Sequence, residues 1–420
     1  MGAKSKVALV LAGGGLTGAV YEIGALRAID DLLVDRTVND LDIYIGTSAG
    51  ALVASGLANG LSPEEMLQAI DGSHPEIQPL KRRHIFSFDN RGFLRRVAGL
   101  PNTLWDAGFH YLRHLDDMTL LDVLWSLSEA MPSGLYDGLA LERYVRGLLT
   151  RPGCSNSFEN LDRDLHVIAT DLDSGERAVF GPEEYGQVPI SLAVAASSAL
   201  PVVYKPVRIG DSEYVDGGLR GTASLDLAIE QGANLVICIN PLVPFDNRSR
   251  ECIPFLGSDG GYLSDKGVQA IASQMMRITI HSGLQYHIKQ LRRQHPDVDI
   301  IHIEPRPDDY QVFFYNIMRY STRLTVARHG FESVTLDLEQ DYHHYKKILA
   351  RHGIPLSRRL VIAELAQIEQ SGYDPQVIRR ILESCPPACN RVQRDTPVCQ
   401  LTRTLAELEL TLDQIDAETI

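Results

Sequence analysis

A chain of 420 residues, 44% apolar and 22% charged, holds enough apolar material for one large α/β domain with an appendage or for two domains, and its composition excludes a disordered protein. Its 54 acidic and 40 basic residues give a formal charge of -14, which excludes nucleic acid as a general partner because phosphate binding is driven by a basic face. Six unevenly placed cysteines are too few for a secreted disulfide framework and point to a reducing compartment.

Residues 7–12 read as a fully buried strand and Gly18 to Leu33 as a helix, with apolar positions at Ala19, Ile23, Leu26 and Ile29. Lys4 and Lys6 before this strand imitate a signal peptide, but glycines end the apolar run at Ala12. A second strand at 41–45, a tight turn and a small-residue helix running towards Gly60 repeat the grammar. Two successive strand-turn-helix units predict a parallel sheet with right-handed crossovers. Residues from about 62 to 135 fit this scheme less well and read as an insertion. Within it, 81–114 carries seven Lys or Arg interleaved with aromatics. That segment reads as a lid or peripheral lipid contact, or equally as a solvated insertion packing its aromatics inward.

Further strands are expected at 165–172, 213–218, 234–241 and 298–305, with an amphipathic helix from about Asp265 to Gln294 before the last. Beyond 340 the pattern is helical and charged. Cys385, Cys389 and Cys399 lack a fourth ligand at finger-like spacing, and the last histidine, His352, lies well before them, so no metal is expected. The uncharged stretches 43–63 and 185–204 carry too many glycines, prolines and serines to be membrane spans. A cytoplasmic protein is expected, with any membrane contact peripheral.

The pentapeptide GTSAG, residues 46–50, places Ser48 between an apolar strand and a helix, the setting of a nucleophile elbow. A serine nucleophile needs a base, yet His166, His281, His287, His343 and His344 all fall outside strand-end turns. Asp216, at the end of EYVDGG, is the better candidate, against the alternative of an ordinary Asp-Gly turn. The run GGGLTG at 13–18 satisfies the glycine spacing of a dinucleotide site. Such a site also needs an acidic residue at the end of the second strand, where this chain has Gly46, Thr47 and Ser48. The loop amides are then free to face the oxygen of a tetrahedral intermediate, each worth about 3 kcal/mol there.

Together GGGLTG (13–18), GTSAG (46–50), ASSALPVVYKPV (196–207) and DGG (216–218) resemble the patatin-like phospholipase family, over residues 5 to about 340. The resemblance implies a three-layer α/β sandwich around a mostly parallel sheet, with a helical insertion and a helical extension over 341–420. It implies Ser48 as nucleophile, Asp216 as the group that activates it, and an oxyanion hole drawn from Gly13, Gly14, Gly15 and Leu16. The implied activity is hydrolysis of fatty-acyl esters of phospholipids or related lipids through an acyl-enzyme, without cofactor or metal. Thr17 stands where the family usually carries a basic residue. Two other readings remain open: an esterase or thioesterase on small soluble substrates, and a nucleotide-binding or scaffolding protein with an idle serine.

Overall fold

The computed structural model describes residues 5–34, 36–88, 133–248, 261–307, 309 and 320–384. Strand β1 (Val7–Leu11) has all five side chains buried, as a strand covered on both faces must. It pairs in parallel with β2 (Ile43–Thr47) on one side and β9 (Leu235–Ile239) on the other. β9 pairs in parallel with β10 (Asp299–Ile303), and β2 with β4 (Asp164–Asp171). Three antiparallel strands complete the eight-stranded sheet: β5 (Arg177–Phe180), β7 (Val207–Ile209) and β8 (Ser212–Asp216). A separate parallel pair joins β3 (Gly134–Tyr136) to β6 (Val202–Tyr204).

Alternation along the strands builds a core on each face. Val7, Leu9 and Leu11 enter one apolar cluster, and Ala8, Val10 and Ala12 the other. The first cluster is covered by α1 (Gly15–Leu32), α2 (Ala49–Ala58), α3 (Pro63–Asp71), α5 (Leu139–Leu149), α6 (Ile190–Ser197) and α9 (Tyr320–Gln340). The second lies under α7 (Leu225–Glu230) and the C-terminal half of α8 (Val268–Gln294). The result is a three-layer α/β protein with a mostly parallel central sheet.

Several boundaries differ from the sequence reading. The second strand runs through Gly46 to Thr47, because Gly46 has no side chain to strike the helix that follows. The first α-helix opens at Gly15 rather than Gly18. Helix α3, read as part of the insertion because 62–135 fits the strand-turn-helix scheme less well, sends Met66 and Leu67 into the main core. In α8 only Leu284, Ile288 and Leu291 are buried, so its N-terminal half presents Val268, Ile271 and Met275 to solvent instead of an apolar face to the domain.

Of the basic-aromatic segment, residues 81–88 are described. They include the one-turn α4 (Arg82–Ile85), while 89–114, the rest of the insertion to 132 and the three C-terminal cysteines lie outside the described residues. The described part of the C-terminal extension forms α10 (Tyr342–Arg351), α11 (Arg359–Gln370) and α12 (Pro375–Glu383). Leu349, Ile368 and Leu382 from these helices share the core of α1. Among the described residues no helix is long and apolar enough to cross a membrane.

Candidate active site

The sheet register brings two distant chain ends together. A strand has two edges, and Val167 of β4 pairs with both Gly46 and Phe180, while Ala169 pairs with both Ala178 and Asp216. Hence β5 takes one edge of β4, and β2 and β8 share the other, end to end. β2 leaves that edge at Thr47 opposite Ile168, and β8 arrives from the other direction with Asp216 opposite the next residue, Ala169. Ser48 follows Thr47 directly. Its Oγ donates to Asp216 Oδ2 at 2.6 Å.

Backbone geometry at the serine is that of a sharp elbow. Ser48 has φ 55° and ψ -120°, a region L-residues avoid at a cost of about 1–3 kcal/mol, and surrounding contacts must hold it there. Its flanks permit this because they are glycines: a Cβ on Gly50 would lie 2.4 Å from the Leu11 carbonyl oxygen, and one on Gly46 2.5 Å from Ala51 Cα. Helix α6 and its end hold the turn. The Ser48 N–H donates to Ser197 Oγ at 2.7 Å, Ser197 donates on to the Ile168 carbonyl at 2.5 Å, and Ser198 Oγ donates to the Ser48 carbonyl at 3.2 Å. Sequence reasoning assigns Ser197 and Ser198 no role; the signal was their place in ASSALP, otherwise an ordinary small-residue run.

Asp216 is held on every side. Its Oδ1 accepts the Gly218 N–H at 2.8 Å, its own N–H donates to the Ala199 carbonyl at 3.0 Å, and its carbonyl accepts Thr170 Oγ1 at 3.2 Å. Burial pushes its carboxyl up to about 6, against the smaller opposing pull of the Ser48 and Gly218 hydrogen bonds. Gly217 follows where the two chain ends crowd each other, and a Cβ there would stand 2.3 Å from the Ile168 carbonyl oxygen. Gly217→Ala is therefore expected to cost about 1–3 kcal/mol in urea denaturation, by driving β8 off β4. A cost under 0.5 kcal/mol would show that the junction has slack.

The glycine loop lies alongside. A Cβ on Gly13 would approach Ser48 Cβ to 3.3 Å. The Gly13 N–H donates to the Thr222 carbonyl at 3.2 Å and to Thr222 Oγ1 at 3.1 Å, so this amide is already engaged. Helix α1 starts at Gly15, which has φ 60°, and Gly14 caps it without a side chain. The amides of that first turn have no intrahelical acceptor and sit at the positive end of an 18-residue helix. Gly14 and Gly18 pack against Pro241, leaving no room for a Cβ on Gly14, which would meet Pro241 Cγ at 2.5 Å. Thr17 is half-buried in the same turn.

Among the described residues neither Ser48 nor Asp216 bonds a histidine. His166 is buried, and burial lowers its pKa; His281 pairs with Glu304 at 3.0 Å.

A mostly parallel sheet whose strained strand-to-helix serine bonds a buried carboxylate, beside a glycine-opened helix, defines an α/β protein of the nucleophile-elbow class. Residues 9–229 match the family described as patatin-like phospholipase, and the chain belongs to that family. It is 26% identical over 224 residues to the protein YqhO of Bacillus subtilis (strain 168), covering 50% of this chain and 62% of that one. It is 22% identical over 228 residues to the probable lipid hydrolase 463L of Invertebrate iridescent virus 6, covering 53% and 63%. To an intracellular phospholipase A2 of Caenorhabditis elegans it is 27% identical over 239 residues, covering 54% of this chain and 17% of the relative. The chain thus spans less than two thirds of the length of each of these relatives.

Proposed function

We propose that the protein is a serine acyl hydrolase that cleaves fatty-acyl ester bonds of phospholipids or related lipids. The observation that carries this reading is the 2.6 Å bond from Ser48 Oγ to the buried Asp216 carboxylate. Family membership and relatives described as a lipid hydrolase and a phospholipase A2 support the lipid substrate. In this mechanism Ser48 Oγ attacks the ester carbonyl carbon while its proton passes to Asp216 Oδ2. The oxyanion settles over the amides of Gly14, Gly15 and Leu16, while the Gly13 amide, bonded to Thr222, anchors the loop rather than donating to the oxyanion. Collapse expels the alcohol, which takes the proton from Asp216. Water then gives a proton to Asp216 as it attacks the acyl-enzyme, and collapse of the second tetrahedral intermediate breaks the bond to Ser48 Oγ, which takes that proton back from Asp216 as the fatty acid leaves.

A carboxyl raised to about 6 is a better base near neutral pH than an ordinary aspartate, yet remains ionised there. The expected consequence is a kcat/KM that falls about tenfold per pH unit below 6 and is flat above it. A profile still flat at pH 4.5 would remove Asp216 from the role of base. Peripheral contact with lipid is assigned to the segment 81–114, in whose described part Lys81, Arg82 and Arg83 stand exposed near exposed Phe86 and Phe88. The direct test of the whole reading is labelling by a fluorophosphonate. The parent protein should be labelled and Ser48→Ala not, whereas equal labelling of both would overturn it.

A further inference from the structure

An apolar crevice begins where the reacting acyl group would lie. It runs between α1 and α2 towards α3 and α5 and is lined almost wholly by apolar side chains. At its catalytic end stand Leu16, in the first turn of α1, and Leu52, one turn below Ser48 on the same face of α2. Both are half-buried, whereas Ile23 and Val53 further in are buried. Its only titratable lining side chain among the described residues is Tyr144, whose hydroxyl donates to the Gln78 carbonyl at 3.2 Å.

The space exists because of small residues at its centre. Ala19, Gly56 and Ala69 line it where larger side chains would close it. At the level of Gly56 the end of Met66 crosses the gap: a Cβ on Gly56 would come within 2.7 Å of Met66 Cε. Gly56 lies eight residues past Ser48, about 12 Å along the helix. An extended alkyl chain advancing roughly 1.25 Å per carbon would reach it with about ten carbons. A comparably apolar crevice is lined by Ile29, Leu33 and Leu349. It lies near the far end of α1, about 20 Å from the glycine loop, and cannot receive a chain attached to Ser48.

We propose that the crevice between α1 and α2 is the acyl-chain subsite, and that Met66 and Gly56 set the chain length it accepts. This rests on the hydrolase reading. An acyl group esterified to Ser48, with its carbonyl oxygen towards the Leu16 amide, leaves the elbow between Leu16 and Leu52 and continues down to Met66. Methionine suits the end of such a slot, since its unbranched thioether moves aside or fills the gap at little cost.

The test compares kcat/KM for p-nitrophenyl butyrate, octanoate, decanoate and hexadecanoate in the parent, Met66→Ala and Gly56→Val, with thermal melts to establish folding. The parent should prefer chains near decanoate. Met66→Ala should raise the hexadecanoate-to-butyrate ratio several-fold, and Gly56→Val should lower the decanoate-to-butyrate ratio about tenfold, the usual worth of a misfitting methylene or two. A second measurement needs no pocket variant: with methionine methyls labelled by ¹³C, a decyl phosphonate adduct on Ser48 should shift the Met66 methyl resonance and an ethyl adduct should not. Ser48-dependent hydrolysis whose chain-length preference neither variant moves, with an unmoved Met66 methyl, overturns the subsite and leaves the hydrolase standing. Absence of any Ser48-dependent hydrolysis or labelling in the parent overturns both.

Discussion

Ser48→Ala is expected to lower kcat/KM for ester hydrolysis by about a million-fold, and Asp216→Asn by at least about 10⁴-fold. The two groups share one proton at 2.6 Å, so they act as a unit. The double variant should therefore be no slower than the slower single one, and initial rates on one short ester suffice to see it. Additive losses would mean that the carboxylate works elsewhere than on the serine.

Folding should respond in the opposite sense. A carboxyl raised from its ordinary range to about 6 binds more protons folded than unfolded between those values, so stability falls as pH rises through that window. Above pH 6 the penalty of keeping Asp216 ionised is fully present. Asp216→Asn, which cannot ionise, is thus expected to be more stable than the parent at pH 7 by on the order of 1 kcal/mol, and to lose that advantage near pH 4. Ser48→Ala keeps the positive φ and its strain, so its melting temperature should stay close to the parent's. Activity lost together with stability in both variants would instead make the pair a structural bond.

Arg27→Met is the substitution expected to harm folding most. The guanidinium is fully buried on α1, where it pairs with Asp31 one turn on, with Glu64 of α3 at 3.6 Å and with Glu364 of α11 at 3.5 Å. It also donates to the Ile381 carbonyl at 3.2 Å and the Ser384 carbonyl at 3.3 Å. One cation thus joins the helix that carries the glycine loop to the C-terminal helices. Removing one side of a buried ionic cluster leaves the rest uncompensated, at a cost of about 3–5 kcal/mol.

The same cluster gives that loss a pH dependence. Burial already holds the Asp31 and Glu64 carboxyls above their ordinary range despite the cation beside them. Without Arg27 they rise further, and the folded state then holds protons that the unfolded chain has released. The deficit of Arg27→Met should accordingly be smaller at pH 5 than at pH 8, as urea denaturation at the two values will show. An equal deficit at both would assign the loss to packing alone. A chain cut after residue 340 would leave Arg27 without Glu364 and the Ile381 and Ser384 carbonyls, and would uncover the part of the core that Leu349, Ile368 and Leu382 complete.

Much of the architecture is local and so is legible. Continuous apolar runs such as VALVL mark strands buried on both faces, and glycine punctuation marks the turns that follow them. Less legible were the short strands β5, β6 and β7, whose three or four residues exist only because a neighbour pairs with them. The same holds for α3 and the C-terminal helices. Their charged surfaces resemble an appendage, and only packing shows that their few apolar residues complete the core over α1.

By itself the sequence determined the pieces of the site: a serine between small residues at a strand end, an aspartate before two glycines, and a helix opened by glycines. These are short-range matters of steric room and periodicity. Tertiary structure alone decided that Ser48 and Asp216 meet, because that depends on β2 and β8, which lie far apart in the chain, ending one residue apart on the same edge of β4. It alone gave Ser197 its hold on the elbow and withdrew the Gly13 amide to Thr222, since a hydrogen bond is assigned by which groups the fold brings within reach.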